Sequence, residues 1–252
     1  MKKQLKPEFD LRRFVLGTLR TEQTRHLWLL LYWPIYGFFF FFVEKIYRPE
    51  GYYSVHCPLD DAIPFCELFL IPYLFWFVYL IGMHVYTLIY DVSAFKKMMY
   101  FIMMTYSATI VIYLIFPTCQ DLRPAEFERD NFLTRFMASY YAFDTNTNVC
   151  PSIHVTGSLA VMFTSFHCKD FGKGMKVTFA VTGVLIAIST VFVKQHSILD
   201  LLAALPFCAV AYALCFGIGW GLKSKNFSRL NYAKGVYGIN PRGCLSDFGI
   251  NN

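Results

Sequence analysis

Two histidines and an aspartate carry the strongest chemical signal in this chain of 252 residues. His196 and Asp200 stand four positions apart, so on a helix that begins near His196 they stack on one face. A carboxylate bonded to one ring nitrogen fixes the imidazole tautomer, leaves the other nitrogen free as a nucleophile and stabilises a cationic adduct. His154 follows Cys150-Pro151-Ser152-Ile153. Pro151 suits the first position of a helix, which leaves the amides around Ser152 and Ile153 to bind an oxyanion or a phosphate. Arg123 and Lys194 are the cations that such a group requires, and His154 on the first turn can protonate a leaving oxygen. These residue types point to phosphoryl chemistry.

The elements that must position them are membrane helices. Hydrophobic residues make up 56% of the chain, aromatic residues 19% and charged residues 16%, too little polarity to cover a water-soluble globule of this length. Six apolar runs, over residues 27–43, 65–90, 98–116, 149–167, 177–193 and 198–220, predict an all-α protein with six spans, since a crossing takes about 20 apolar residues. His154 and His196 are 42 residues apart, and two crossings consume about 40. The two histidines therefore return to the same face of the bilayer. No apolar run separates Arg123 from His154, so Arg123 shares that face. An aspartate near a helix centre costs about 2.5 to 3.5 kcal/mol in lipid, less toward the interface, and such residues usually serve function.

Lysine and arginine divide 17 to 6 between alternating loops. By the positive-inside rule the richer face, with both termini, is cytoplasmic and the face holding the histidines is extracytoplasmic, which fits the plasma membrane. The net charge of +6 is thereby explained as topology, with no nucleic-acid partner. Residues 1–26 read as a basic, amphipathic or unstructured cytoplasmic segment, 27–220 as the six-helix domain and 221–252 as a cytoplasmic tail. The first run follows about 26 residues without a cleavage pattern after it, which favours a retained helix over a signal peptide. Eight cysteines show no metal-binding rhythm, and neither a metal nor a cofactor is expected. Cys57 with Cys66, or Cys119 with Cys150, would share the outer face and could pair in an oxidising compartment. Glu67 either lines a substrate entrance or snorkels into headgroups. The oligomeric state is not legible.

With these motifs in order, the sequence resembles the type 2 phosphatidic acid phosphatase superfamily, whose signatures read K-x6-R-P, P-S-G-H and S-R-x5-H-x3-D. Arg123-Pro124 matches the end of the first, Pro151, Ser152 and His154 match the second, and Ser189, His196 and Asp200 match the third. The resemblance implies a helical core like that of the haloperoxidases. His196 would be the phosphoryl-accepting nucleophile, Asp200 its orienter, His154 the general acid and then base, and Arg123, Ser152 and Ser189 would belong to the substrate site, without a metal. Phe116, Ile153 and Thr190 stand where the signatures have lysine, glycine and arginine. Lys194 is the candidate replacement, though without the bidentate fork of arginine.

Three functions follow as expectations. The first is a lipid phosphatase acting on phosphatidic acid, phosphatidylglycerophosphate or a polyprenyl diphosphate through a phosphohistidine. The second, suggested by the loosened motifs, is a headgroup transferase similar to the inositolphosphorylceramide or sphingomyelin synthases. The third is a non-catalytic lipid-binding or transport protein on the same scaffold.

Overall fold

The structure, a computed structural model, describes residues 7–9, 21 and 24–217. Most of the N-terminal basic segment and all of the C-terminal tail lie outside these residues. Seven helical elements of ten residues or more form the described body. They are α1 (Tyr32–Phe41), α3 (Leu70–Tyr90), α4 (Val92–Ile115), α5 (Phe132–Phe143), α6 (Ile153–His167), α7 (Lys173–Phe192) and α8 (Ile198–Tyr212). A short helix, α2 (Pro58–Ala62), and two strands, β1 (Tyr53–Ser54) and β2 (Thr118–Cys119), lie in the connections. A 3-10 segment, Arg25–Leu31, leads into α1, and a π turn, Phe42–Ile46, follows it.

Five helical stretches are long and apolar enough to cross a membrane: Arg25–Ile46, Glu67–Tyr90, Val92–Ile115, Lys173–Phe192 and Ile198–Gly217. Their outward faces are compatible with a lipid surrounding. On α7, Val177, Val181, Val184 and Ile188 are all exposed, a run of apolar side chains that water would penalise. The apolar run at 149–167 departs from the six-span expectation. Its helix has 15 residues, about 22 Å at 1.5 Å per residue, against a hydrocarbon core of about 30 Å. Cys150, Pro151 and Ser152 precede the helix, because Pro151 has no N–H to donate and Ser152 takes an extended conformation as the N-cap. Pro151 therefore lies outside the helix, not at its first position.

The short α6 lies at the centre, packed against α3, α4, α7 and α8. Small side chains permit this. A Cβ on Gly157 would stand 2.5 Å from Tyr106 Oη and 2.9 Å from Trp76 Nε1, so only glycine lets α6 approach the aromatic walls of α3 and α4 this closely. Tyr113 Oη donates to Pro151 O at 2.9 Å, anchoring the entry of α6 to α4.

One end of the bundle carries most of the irregular structure. Parallel pairing of β1 with β2 sets Tyr53 beside Thr118 and Ser54 beside Cys119, while Cys119 also bridges Thr147. Three connections are thus stitched into one cap. The segment between Arg123 and His154, which has no apolar run, contains α5, whose start is set by the Asn131 cap on Leu133 N and Thr134 N. Phe132, Phe136 and Phe143 are exposed along one side of this helix.

Candidate active site

The turn between α7 and α8 organises the loop-rich end. Lys194 has φ of 51°, the left-handed region that costs a non-glycine residue about 1 to 2 kcal/mol. The turn faces Lys194 toward one cavity and Gln195 and His196 toward another. The amides of Gln195 and His196 both donate to Thr190 O, at 3.0 and 3.2 Å. Ser197 then caps α8 by accepting from Leu199 N at 3.1 Å. Asp200 Oδ2 accepts twice, from Ser197 N and from His196 Nδ1, each at 3.0 Å. Since the carboxylate only accepts, Nδ1 carries the proton and Nε2 presents a lone pair. Asp200 is at once the reciprocal helix cap and the orienter of His196.

His154, on the first turn of α6, is held between rings of α3. Its imidazole lies 4.5 Å from Tyr73, nearly parallel, and 4.5 Å from Trp76. The ring centroids of His154 and His196 are 5.9 Å apart at 62°. Both nitrogens of His154 are buried without a hydrogen-bond partner, as are Ser152 Oγ, Asn148 Oδ1, Gln195 Nε2 and Asp200 Oδ1. Each such group costs about 1 to 3 kcal/mol if left unmet. Their concentration beside the two histidines marks a place that a ligand or water completes.

The remaining residues singled out by sequence divide. Ser152 is buried beside His154, but its amide donates to Asp200 O at 3.2 Å and is not free for an anion. Arg123 reaches the same neighbourhood and is occupied there. Its Nη1 donates to Tyr141 O and Asp144 O, and its Nη2 to Thr145 O and Gln195 Oε1 at 2.7 Å each. The guanidinium also lies 4.6 Å over the Tyr141 ring. Lys194 points away from the histidines and donates to the carbonyls of Asp60 and Ile63, at 2.7 and 2.5 Å. Burial pushes its pKa down, opposed by Asp60 and Asp61. Ser189 is buried in α7, where its hydroxyl donates to Ile186 O at 2.6 Å. Thr190 likewise turns back on its helix, donating to Ala187 O. The side chains of Lys194 and Ser189 therefore do not reach the histidine cleft, because nearby carbonyls claim their donors.

Sequence reasoning missed three polar side chains that the fold brings in. Glu44, in the π turn after α1, accepts from Thr145 Oγ1 and from Asn148 Nδ2, the latter at 2.9 Å. It lines the cleft with Phe40, Tyr113, Asp144, His154 and His196. Burial raises the pKa of Asp144, opposed by Arg123 and His196. Gln120 Nε2 donates to Lys194 O at 3.1 Å, supporting the turn from below. A glutamate ending a long apolar run was the available signal for Glu44, since π turns and buried acids both gather at functional sites. The cleft holds about 40 Å³ of free space, on the scale of a few waters.

Behind the turn lies a second cavity of about 510 Å³, lined by Asp60, Asp61, Glu67, Asp121, Arg129 and Lys194 among others. Asp60 and Glu67 are matched within it. Asp60 accepts from Ser197 Oγ at 2.6 Å, Ile198 N at 2.9 Å and Cys57 N at 2.9 Å. Glu67 is met by Arg129 and Asn131 at 3.2 Å each, so it lines this cavity instead of snorkelling. Among the described residues no three His, Cys, Asp or Glu side chains converge to hold a metal ion. Cys57, Cys66, Cys119 and Cys150 are all free thiols. Neither of the two possible disulfides forms, as Cys57 serves the α2 cap and Cys150 lies against Asp200, where burial and that carboxylate push its thiol up to about 12. Compared with protein-family profiles, curated proteins and solved structures, the chain matches none.

Proposed function

We propose that this protein is an integral membrane enzyme that cleaves phosphorylated lipids through a phosphohistidine at His196. The observation that supports the reading is the pair of imidazoles across one cleft, the first held by Asp200 with Nε2 free and the second with both nitrogens unpartnered. In the first step His196 Nε2 attacks phosphorus, the bond from phosphorus to the lipid oxygen breaks, and His154 delivers a proton to that oxygen. In the second, water attacks phosphorus, His154 takes its proton, the nitrogen–phosphorus bond breaks and inorganic phosphate leaves. The negative charge of the arriving phosphate favours the protonated His154 that the first step needs. In this reading α6 is a short sixth crossing, both termini are cytoplasmic, and the cleft opens at the extracytoplasmic side of the plasma membrane.

A second reading, transfer of a phospho-headgroup to a lipid alcohol, is favoured by the shortage of free cations. Arg123 gives its Nη groups to three carbonyls and Gln195 Oε1 and keeps only its Nε–H unpartnered, and Lys194 donates to two carbonyls, whereas Glu44, Asp144, Asn148 and Gln195 offer partners for hydroxyls. A phosphodiester brings one negative charge where a monoester brings close to two, so it needs less compensation. Purified protein with chelator present, given phosphatidic acid, phosphatidylglycerophosphate, polyprenyl diphosphate and a labelled diester with acceptor alcohol, separates the two. Release of free phosphate is expected under the first reading and labelled headgroup in a new lipid under the second. Full activity in His196→Ala would overturn both.

A further inference from the structure

The histidine cleft is too small for a lipid, so the chain of any lipid substrate must lie elsewhere. One groove is suitably placed. Along the contact between α1 and α4 runs an apolar furrow of about 260 Å³, walled by Ile35, Tyr36 and Phe39 on one side and Ile110, Val111 and Leu114 on the other. Ile35, Phe39 and Val111 are exposed, which opens the furrow sideways to the bilayer. The same two helices supply Phe40 and Tyr113 to the cleft from the turns that line the groove, and the π turn that continues α1 supplies Glu44. Tyr36, Phe40 and Glu44 recur every four residues, so groove and cleft lie along one face of the first span. The far end is closed by the hydrogen bond between Tyr32 Oη and Ser107 Oγ at 3.1 Å.

Tyr36 supplies the second observation. It is 9% exposed, stacks on Tyr32 and Phe40 at 5.9 and 5.8 Å, and its hydroxyl is buried with no hydrogen-bond partner. A phenol in such a place is expected to find a partner. From Tyr36 to Glu44 is about 12 Å of helix rise, which sets Tyr36 below the cleft on the groove side. We propose that the α1–α4 groove holds one hydrocarbon chain of a glycerolipid substrate, reached sideways from the bilayer, with Tyr36 donating a hydrogen bond to its ester carbonyl. This inference rests on the lipid reading of the site.

The test compares dioleoyl phosphatidic acid with its soluble dihexanoyl counterpart, which presents the same phosphate. Val111→Trp and Ile35→Trp, each filling the groove from an exposed position, are expected to raise KM for the dioleoyl lipid about tenfold or more. Turnover of the dihexanoyl lipid should stay within about twofold, which also certifies the fold. Tyr36→Phe should lower kcat/KM about fivefold for diacyl substrate, the scale of one hydrogen bond, and leave the dialkyl ether analogue, which lacks the carbonyl, unchanged. Equal effects on long and short chains, or none on either, would overturn the groove. Should the wild-type protein turn over neither lipid, phosphatidic acid bearing a diazirine on its chain still decides the matter. Labelling of α1 and α4 peptides that Val111→Trp abolishes upholds the groove while removing the reaction. Labelling confined to other helices, or a stable dimer crosslinked through Val111→Cys, removes the groove.

Discussion

Residues 193–197 separate two cavities of opposite character. On one side, Lys194 and Asp60 face a wide space in which Lys194, Asp60, Asp61, Glu67 and Arg129 already have partners. On the other, Gln195 and His196 face a narrow cleft in whose lining four polar atoms have none. The wide cavity has the more charged lining, yet its central carboxylate, Asp60, is spent on holding α2 to the start of α8. Availability of a donor or lone pair, more than the presence of charge, marks a place where chemistry can occur. A single residue of positive φ assigns neighbouring side chains to these two roles.

The largest effect that could break this contrast is on turnover. His196→Ala should reduce kcat/KM on phosphatidic acid about 10³-fold or more, and His154→Ala about 10²- to 10⁴-fold, the range for a lost acid or base. Lys194→Met, by contrast, should leave KM for the phosphate substrate within about twofold and lower Tm, because two carbonyls lose their donor. A large KM effect from Lys194→Met would return it to the site. Next in size is the wall that holds His154. Gly157→Ala drives a methyl into Tyr106 and Trp76, and overpacking of this kind costs about 1 to 3 kcal/mol. A thermal melt in detergent measures that loss, and turnover should fall with it because Trp76 carries the His154 ring. Gly183→Ala, which meets Tyr79 Oη at 3.0 Å, is the milder control.

How far the sequence discloses this arrangement depends on the range of each interaction. The pairing of His196 with Asp200 is local, so helical spacing reveals it. The return of His154 to the same end follows from counting crossings. The uses of Arg123 and Lys194 were not legible, since all their partners but Gln195 Oε1 are backbone carbonyls, of residues 60, 63, 141, 144 and 145. Any residue type can offer a carbonyl, so no composition signals it. Hydropathy also overstated α6, because apolar content continues through Val149 and Pro151 where the backbone is no longer helical. Glu44 should sharpen the point. As the acceptor from Thr145 and Asn148 it shapes the cleft from the first span, and Glu44→Gln, which converts one acceptor into a donor, should cost about tenfold in kcat/KM, or about 1.4 kcal/mol, with little change in Tm.

The smallest expected effect tests the wide side of the turn. Asp60 is buried, which raises its pKa, but the bonds it accepts from Ser197, Ile198 and Cys57 outweigh that and hold it below the ordinary 3.8. A carboxyl whose folded pKa is depressed binds fewer protons folded than unfolded. Its contribution is therefore complete above about pH 4 and is lost as pH falls through the folded value. Asp60→Asn keeps an amide oxygen in place but turns the second acceptor into a donor facing Ser197 or Ile198, at a cost of about 1 kcal/mol per bond lost. The Tm gap between wild type and Asp60→Asn should thus be constant near neutral pH and close progressively below about pH 4. Activity corrected for the folded fraction should stay within about threefold, since Asp60 faces the wide cavity and touches the histidines only through Ser197. A gap that persists undiminished into acid would show that Asp60 contributes through shape and not charge, and would merge the two sides of the turn into one functional unit.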